Sequence, residues 1–194
     1  MTARGTVLVL LMALLATQAP GQVPEEPGAT DTRRYELPNQ NSLELAVPTA
    51  WTDSVDQPED GGPPTIELRP REGAPFEVYL TPDWPEPPDG TAPDAETLRE
   101  TVLAAAERIR GQTVEKTLEI RRLQGASGVG FYFIATDQAP QPEEFRFMNQ
   151  GALQVGDLTV MFTILTNEGQ DAVVDEAFAM LRNAAYQDTG GDQQ

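Results

Sequence analysis

The chain has 194 residues and contains neither histidine nor cysteine. That composition excludes a Ser-His-Asp triad, a cysteine nucleophile, every His or Cys metal centre and every disulfide, so the fold must be held by its core alone. A formal net charge of −18 repels phosphate backbones and anionic headgroups, which argues against nucleic acid or a membrane surface as partner and leaves neutral, cationic or apolar ones; the spread-out acidic surplus also serves solubility by itself.

The first element has the build of a secretory signal. Arg4 supplies a positive start, Val7 to Ala16 is an unbroken apolar run, and small residues follow up to Gly21. The run is shorter than the roughly 20 apolar residues of a membrane span. No cysteine lies near the cut to accept a lipid, so residues 1–21 are read as a removable signal, cut after Gly21 or near Ala16, leaving a soluble periplasmic or secreted protein with no stable membrane anchor. Residues 22–34, rich in Pro, Glu and Gly, read as a flexible leader, residues 35–186 as a single domain, and residues 187–194 as a disordered tail.

Within the domain, Leu43, Leu45 and Val47 alternate with Ser42, Glu44 and Ala46, the period of a strand with one buried face. Pro48 closes it, Trp51 follows at a turn, and Asp53 to Pro64 reads as a loop. Ile66 and Leu68, then Phe76, Val78 and Leu80, predict two short strands. After a Pro-rich stretch, Pro93 and Asp94 open a helix that ends at Gly111, with Leu98, Val102, Ala105 and Ile109 on one face. Leu118 and Ile120, then Phe131, Phe133 and Ala135, predict a strand pair joined through Gly125 to Gly128. FRFMNQGALQV and LTVMFTILT form a long hairpin around Gly156-Asp157, and Asn167 is placed to cap a final helix carrying Val174, Phe178, Leu181 and Ala185. Consecutive hairpins and two amphipathic helices predict an α+β fold, a mainly antiparallel sheet covered by both helices.

At this point a resemblance appears. LELAVPTAW, GFYFIATD, QGALQVGDLTVMFTILTN and AVVDEAFAMLRNA resemble exported bacterial proteins of the PsbP-like (Mog/PsbP-like) superfamily, over Tyr35 to Tyr186. The resemblance implies an α/β sandwich and a binding or assembly role, because known members of that superfamily are accessory proteins without established catalysis. It carries no functional residue across to this chain.

Candidate sites follow from the residues. The loop with Asp53, Asp56, Glu59 and Asp60 before Gly61-Gly62 resembles a calcium chelator in composition only. Counted from Asp56, Pro58 occupies ligand position 3 and Glu67, at position 12, falls in a strand, so no metal site is assigned. Trp84 among prolines, Tyr79 and Arg146 are candidate partner contacts, Trp84 as an aromatic anchor or else a lid on the core. Arg146 is expected on the opposite sheet face from Phe145 and Phe147, facing a carboxylate or a cross-strand neighbour. Trp51, Phe131 and Phe162 would line an apolar pocket between sheet and helices if the protein carries a small ligand. Asp137, Glu143 and Glu144 are the acidic residues for a carboxylate-dependent hydrolase, which needs a pair about 5 or 9 Å apart across a cleft. The leading expectation is a non-catalytic binding protein without cofactor whose partner is another envelope protein. The carrier and the hydrolase are the alternatives.

Overall fold

The computed structural model describes residues 28–37, 41–59, 61–84 and 91–187. The signal segment 1–21, residues 22–27 of the leader, part of the Pro-rich stretch and the tail beyond Gln187 lie outside them.

Among the described residues, ten strands form two antiparallel sheets. β1 (Thr30–Glu36), β2 (Ser42–Pro48) and β10 (Ala185–Gln187) make a three-stranded sheet with β2 in the middle. The second sheet has seven strands: β3 (Trp51–Asp56), β4 (Thr65–Pro70), β5 (Glu77–Asp83), β6 (Arg121–Gln124), β7 (Val129–Thr136), β8 (Phe147–Val155) and β9 (Leu158–Thr166). Their spatial order is β3-β4-β5-β9-β8-β7-β6, so the long β8-β9 hairpin occupies the centre. Two helices, α1 (Ala95–Ile109) and α2 (Asp171–Arg182), complete an α+β sandwich.

Alternation along each strand sorts side chains to the two faces of the large sheet. The inner face presents Ile66, Leu68, Val78, Leu80, Leu153, Val155, Val160, Phe162 and Ile164, all at most 2% exposed. They pack against Leu43, Leu45 and Val47 of β2 and against Ala177, Phe178 and Leu181 of α2 in one continuous cluster. Phe178 anchors the helix, with its ring centroid 4.7 Å from Tyr132 and 6.0 Å from Phe162. Burying a side chain of this size stabilises by about 1.5–3 kcal/mol, so this face dominates the stability.

The outer face holds a second, smaller cluster under α1. Asp94 starts that helix by accepting a hydrogen bond from the Thr97 amide at 2.8 Å. A 3₁₀ turn over Arg110–Gln112 ends it. Leu98, Val102 and Ala106 face Phe133, Ala135, Ala152 and Leu118, and small alanines on the sheet let the helix approach closely. Gly151 serves the same end between strands. A Cβ there would run into the Phe131 carbonyl and lie 2.6 Å from Tyr132 Cβ and 2.8 Å from Phe162 Cζ.

Several expectations need correction. Thr30–Arg34 of the expected leader form β1, paired with β2 from Thr30↔Pro48 to Glu36↔Ser42. Composition hid this strand because only Tyr35 buries its side chain fully. The start of the expected loop at Asp53 to Pro64 is strand β3, an edge strand that buries Trp51 alone. Gln187 likewise belongs to β10 and not to a tail. Leu118 and Ile120 precede β6 instead of lying in it; Leu118 is buried under α1 all the same. Asn167 does not cap α2, whose first residue follows Gln170; its Oδ1 accepts from the Arg146 amide at 3.1 Å. Ala185, expected on the helix, starts β10. The hairpin turn has positive φ at Gly156 alone, the type II′ arrangement with glycine first, which explains why the order is Gly-Asp and not Asp-Gly.

Candidate functional site

The uncovered half of the outer sheet face is built by strand register. Tyr79 of β5 lies opposite Glu67 of β4 and Thr163 of β9, and Thr163 lies opposite Gln150 of β8. The same row continues to Phe133, which α1 covers. One row of side chains therefore passes from a polar, half-exposed end to an apolar, sealed one. The neighbouring rows behave alike: Thr81 and Met161 lead to Ala152, and Glu77 and Leu165 lead to Met148.

Hydrogen bonds hold the polar end in place. Arg69 pairs with Glu67 on its own strand and with Glu77 across the sheet, the latter at 3.0 Å. The Tyr79 hydroxyl donates to Glu77 Oε2 at 2.6 Å. Burial, and then this bond to a carboxylate, pushes the Tyr79 phenol up to about 12. Thr65 and Thr81 share a 3.1 Å hydroxyl contact, and Gln150 donates to Thr163 at 3.2 Å. The result is a fixed polar platform whose groups have little freedom left to lose on binding.

Beside the platform, at the C-terminal end of α1, lies a groove of about 250 Å³. Ala135, Met148 and Leu165 form its floor, Ile109 and Phe145 its walls, and Arg146 its rim. Arg146 departs from the expected alternation because β8 begins only at Phe147. Its guanidinium lies 5.9 Å from the Phe147 ring centroid, and Nη1 is 4.0 Å from Glu168. With its side chain 48% exposed it is open to an external acceptor. Leu165 belongs both to the groove and to the Glu77 row, so groove and platform are continuous.

The structure thus groups Tyr79 with Arg146 and separates both from Trp84. Trp84 follows β5 and packs, half-buried, against the main core on the other side of the sheet. Trp51, Phe131 and Phe162 do not enclose a common cavity. Trp51, 2% exposed, packs at a tilt on Phe76, centroids 4.8 Å apart; Phe162 lies in the inner core; Phe131 packs on the α1 side. The sheet lies between the first two rings and the third. Among the candidate acids, Asp137 Oδ1 accepts from the Ala139 amide at 2.8 Å and Glu144 Oε2 from the Gln141 amide at 2.7 Å. Both carboxylates are engaged in local turns. Asp53 is held by Arg33 at 2.6 Å and by the Tyr35 hydroxyl at 3.0 Å, tying β1 to β3. Among the described residues no three acidic side chains converge as a metal site. Sequence reasoning singled out Tyr79 and Arg146 but missed Glu67, Arg69, Glu77 and Leu165, which only cross-strand register brings together.

No family model matches the chain and no curated protein does. Among solved structures, the chain is similar to the solution structure of cyanobacterial PsbP (CyanoP) from Synechocystis sp. PCC 6803, with 13% identity and a TM-score of 0.47 over 89% of this chain and 98% of that one. No residue's role is transferred from that likeness. No helix among the described residues is long and apolar enough to cross a membrane.

Proposed function

We propose that the protein is an exported, non-catalytic binding protein of the bacterial envelope that docks another protein on the uncovered half of its large sheet. The observation that carries this reading is the half-covered outer face, where α1 packs on β7 and β8 while Tyr79, Met161, Thr163 and Leu165 remain half-exposed. A rigid polar platform next to an apolar groove has the anatomy of an interface, with an apolar centre and a hydrogen-bonding rim. Tyr79 and Leu165 are the proposed anchors, and Arg146 the rim cation.

The test is native mass spectrometry of the mature protein isolated gently from its own envelope fraction, beside a Leu165→Glu variant checked for folding by circular dichroism. A discrete protein-sized mass increment that the variant loses supports the proposal. An increment of a few hundred daltons would instead favour a small-ligand carrier, with the groove under Phe145 as its pocket. A Trp84→Ala variant tests the remaining anchor: weakened docking with an unchanged melting temperature adds Trp84 to the interface, and a lowered melting temperature with unchanged docking assigns it to the core.

A further inference from the structure

On the inner face, at the same end of the sheet, a second groove of about 360 Å³ opens between the strands and the start of α2. Its floor includes Ile134, Phe147 and Asn149, and Glu168, Asp171 and Val174 border it. Asn149 is the unusual member. It is 3% exposed and paired in register with Ile134 and Ile164, and the buried Thr166 opposite Phe147 is its polar neighbour on that face. Its Oδ1 has no hydrogen-bond partner, and no side-chain bond is made by its amide among the described residues. A buried amide that satisfies nothing is unfavourable unless something else satisfies it. It also has no bond to lose on turning about its last torsion, so either end can be offered to the groove.

The surroundings choose between donor and acceptor ligands. Glu168 and Asp171 set two carboxylates at the border, and Arg146 reaches Glu168 only at 4.0 Å. Asp171 in the first turn already complements the positive end of α2. An anion would meet those carboxylates as like charges, whereas N–H donors find three oxygen acceptors above an apolar wall. We infer that this groove binds an organic cation carrying N–H donors, an alkyl ammonium or alkyl guanidinium group, with Asn149 Oδ1 and the carboxylates of Glu168 and Asp171 accepting and Ile134, Phe147 and Val174 packing on its hydrocarbon. The site lies across the sheet from the docking face, and the Arg146–Glu168 pair at 4.0 Å is a contact between them.

The probe is agmatine, titrated into the full mature protein and followed by amide chemical shifts. Saturable shifts at the Asn149 side chain and over residues 168–174 are expected. Asn149→Leu should weaken agmatine about tenfold or more, as loss of a bond to a charged group does, while raising the melting temperature because the unsatisfied amide is gone. The pair Glu168→Gln and Asp171→Asn, on the surface, gives the same readout if Asn149→Leu fails to fold. A blocked Leu-Arg-Leu peptide distinguishes the two sources of the group: tighter binding than agmatine points to an arginine presented by a protein, equal or weaker binding to a free amine. Absence of saturable shifts, unchanged affinity in the variants, or the same shifts produced by inorganic phosphate would overturn the inference.

Discussion

On its inner face the seven-stranded sheet meets α2 and the three-stranded sheet with residues from every one of its strands, from Trp51 of β3 to Leu123 of β6. On its outer face α1 reaches β7 and β8, and the rows that begin as Phe133 and Ala135 end as Tyr79 and Glu77. The two faces use the same backbone and the same alternation. What differs is the chemistry of the side chains at the β4-β5 end, where Arg69 pairs with Glu67 and Glu77 and the Tyr79 hydroxyl donates to Glu77 without a cover. Stability therefore resides in one face and in a corner of the other, and the remaining surface is the face proposed above for docking.

The sharpest way to break this comparison is to empty each face in turn. Phe162→Ala on the inner face should cost about 3–5 kcal/mol in urea denaturation, since the ring is almost fully buried against Phe178. Leu98→Ala under α1 should cost less, about 2–3 kcal/mol, because its cluster is smaller and lies nearer the surface. Equal losses would mean that the outer cluster is as important to stability as the inner one. Leu165→Glu, on the half-exposed platform, should lower stability by less than about 1 kcal/mol while abolishing docking. A larger loss would place Leu165 in a core.

The smallest effect at neutral pH belongs to the phenols. The Tyr79 phenol ionises near 10.0 when unfolded and about 12 when folded, so above pH 10 the unfolded chain gives up its proton first. The folded state then binds more protons, and stability falls as pH rises from about 10 to about 12. Tyr35, raised chiefly by burial and then by its bond to Asp53, acts in the same direction. Tyr79→Phe should be nearly silent at pH 7 and flatten the decline above pH 10, as read by chemical denaturation across that range. An unflattened curve would show that the platform does not hold the phenol.

The elements that could be read from sequence are those whose burial is one-sided and local. β2, β4, β5, the β8-β9 hairpin and α1 announce themselves through alternating or helical apolar spacing and through Pro93, Asp94 and Gly156. β1 and β3 did not, because each is an edge strand that buries one aromatic residue and surrounds it with Thr, Asp and Arg. Their pairing depends on partners far along the chain, which no local window contains. The candidate site shows the same limit. Tyr79 was visible as an exposed aromatic in a strand, but its partners Glu67 and Arg69 come from a different strand, and the polarity of Asn149 is anomalous only once Ile134 and Ile164 stand beside it.

The small sheet has a consequence in time. β2 is flanked on one edge by β1 and on the other by β10, strands drawn from opposite ends of the described chain. A ribosome releases them in order, so a nascent chain carrying β1 and β2 must wait through both helices and the whole large sheet before its last edge is sealed. Contacts of such long separation slow folding. Until Ala185 to Gln187 emerge, the β2 edge at Ser42 to Glu44 has no strand beside it, so this stretch of backbone is sealed only by the last strand of the described fold.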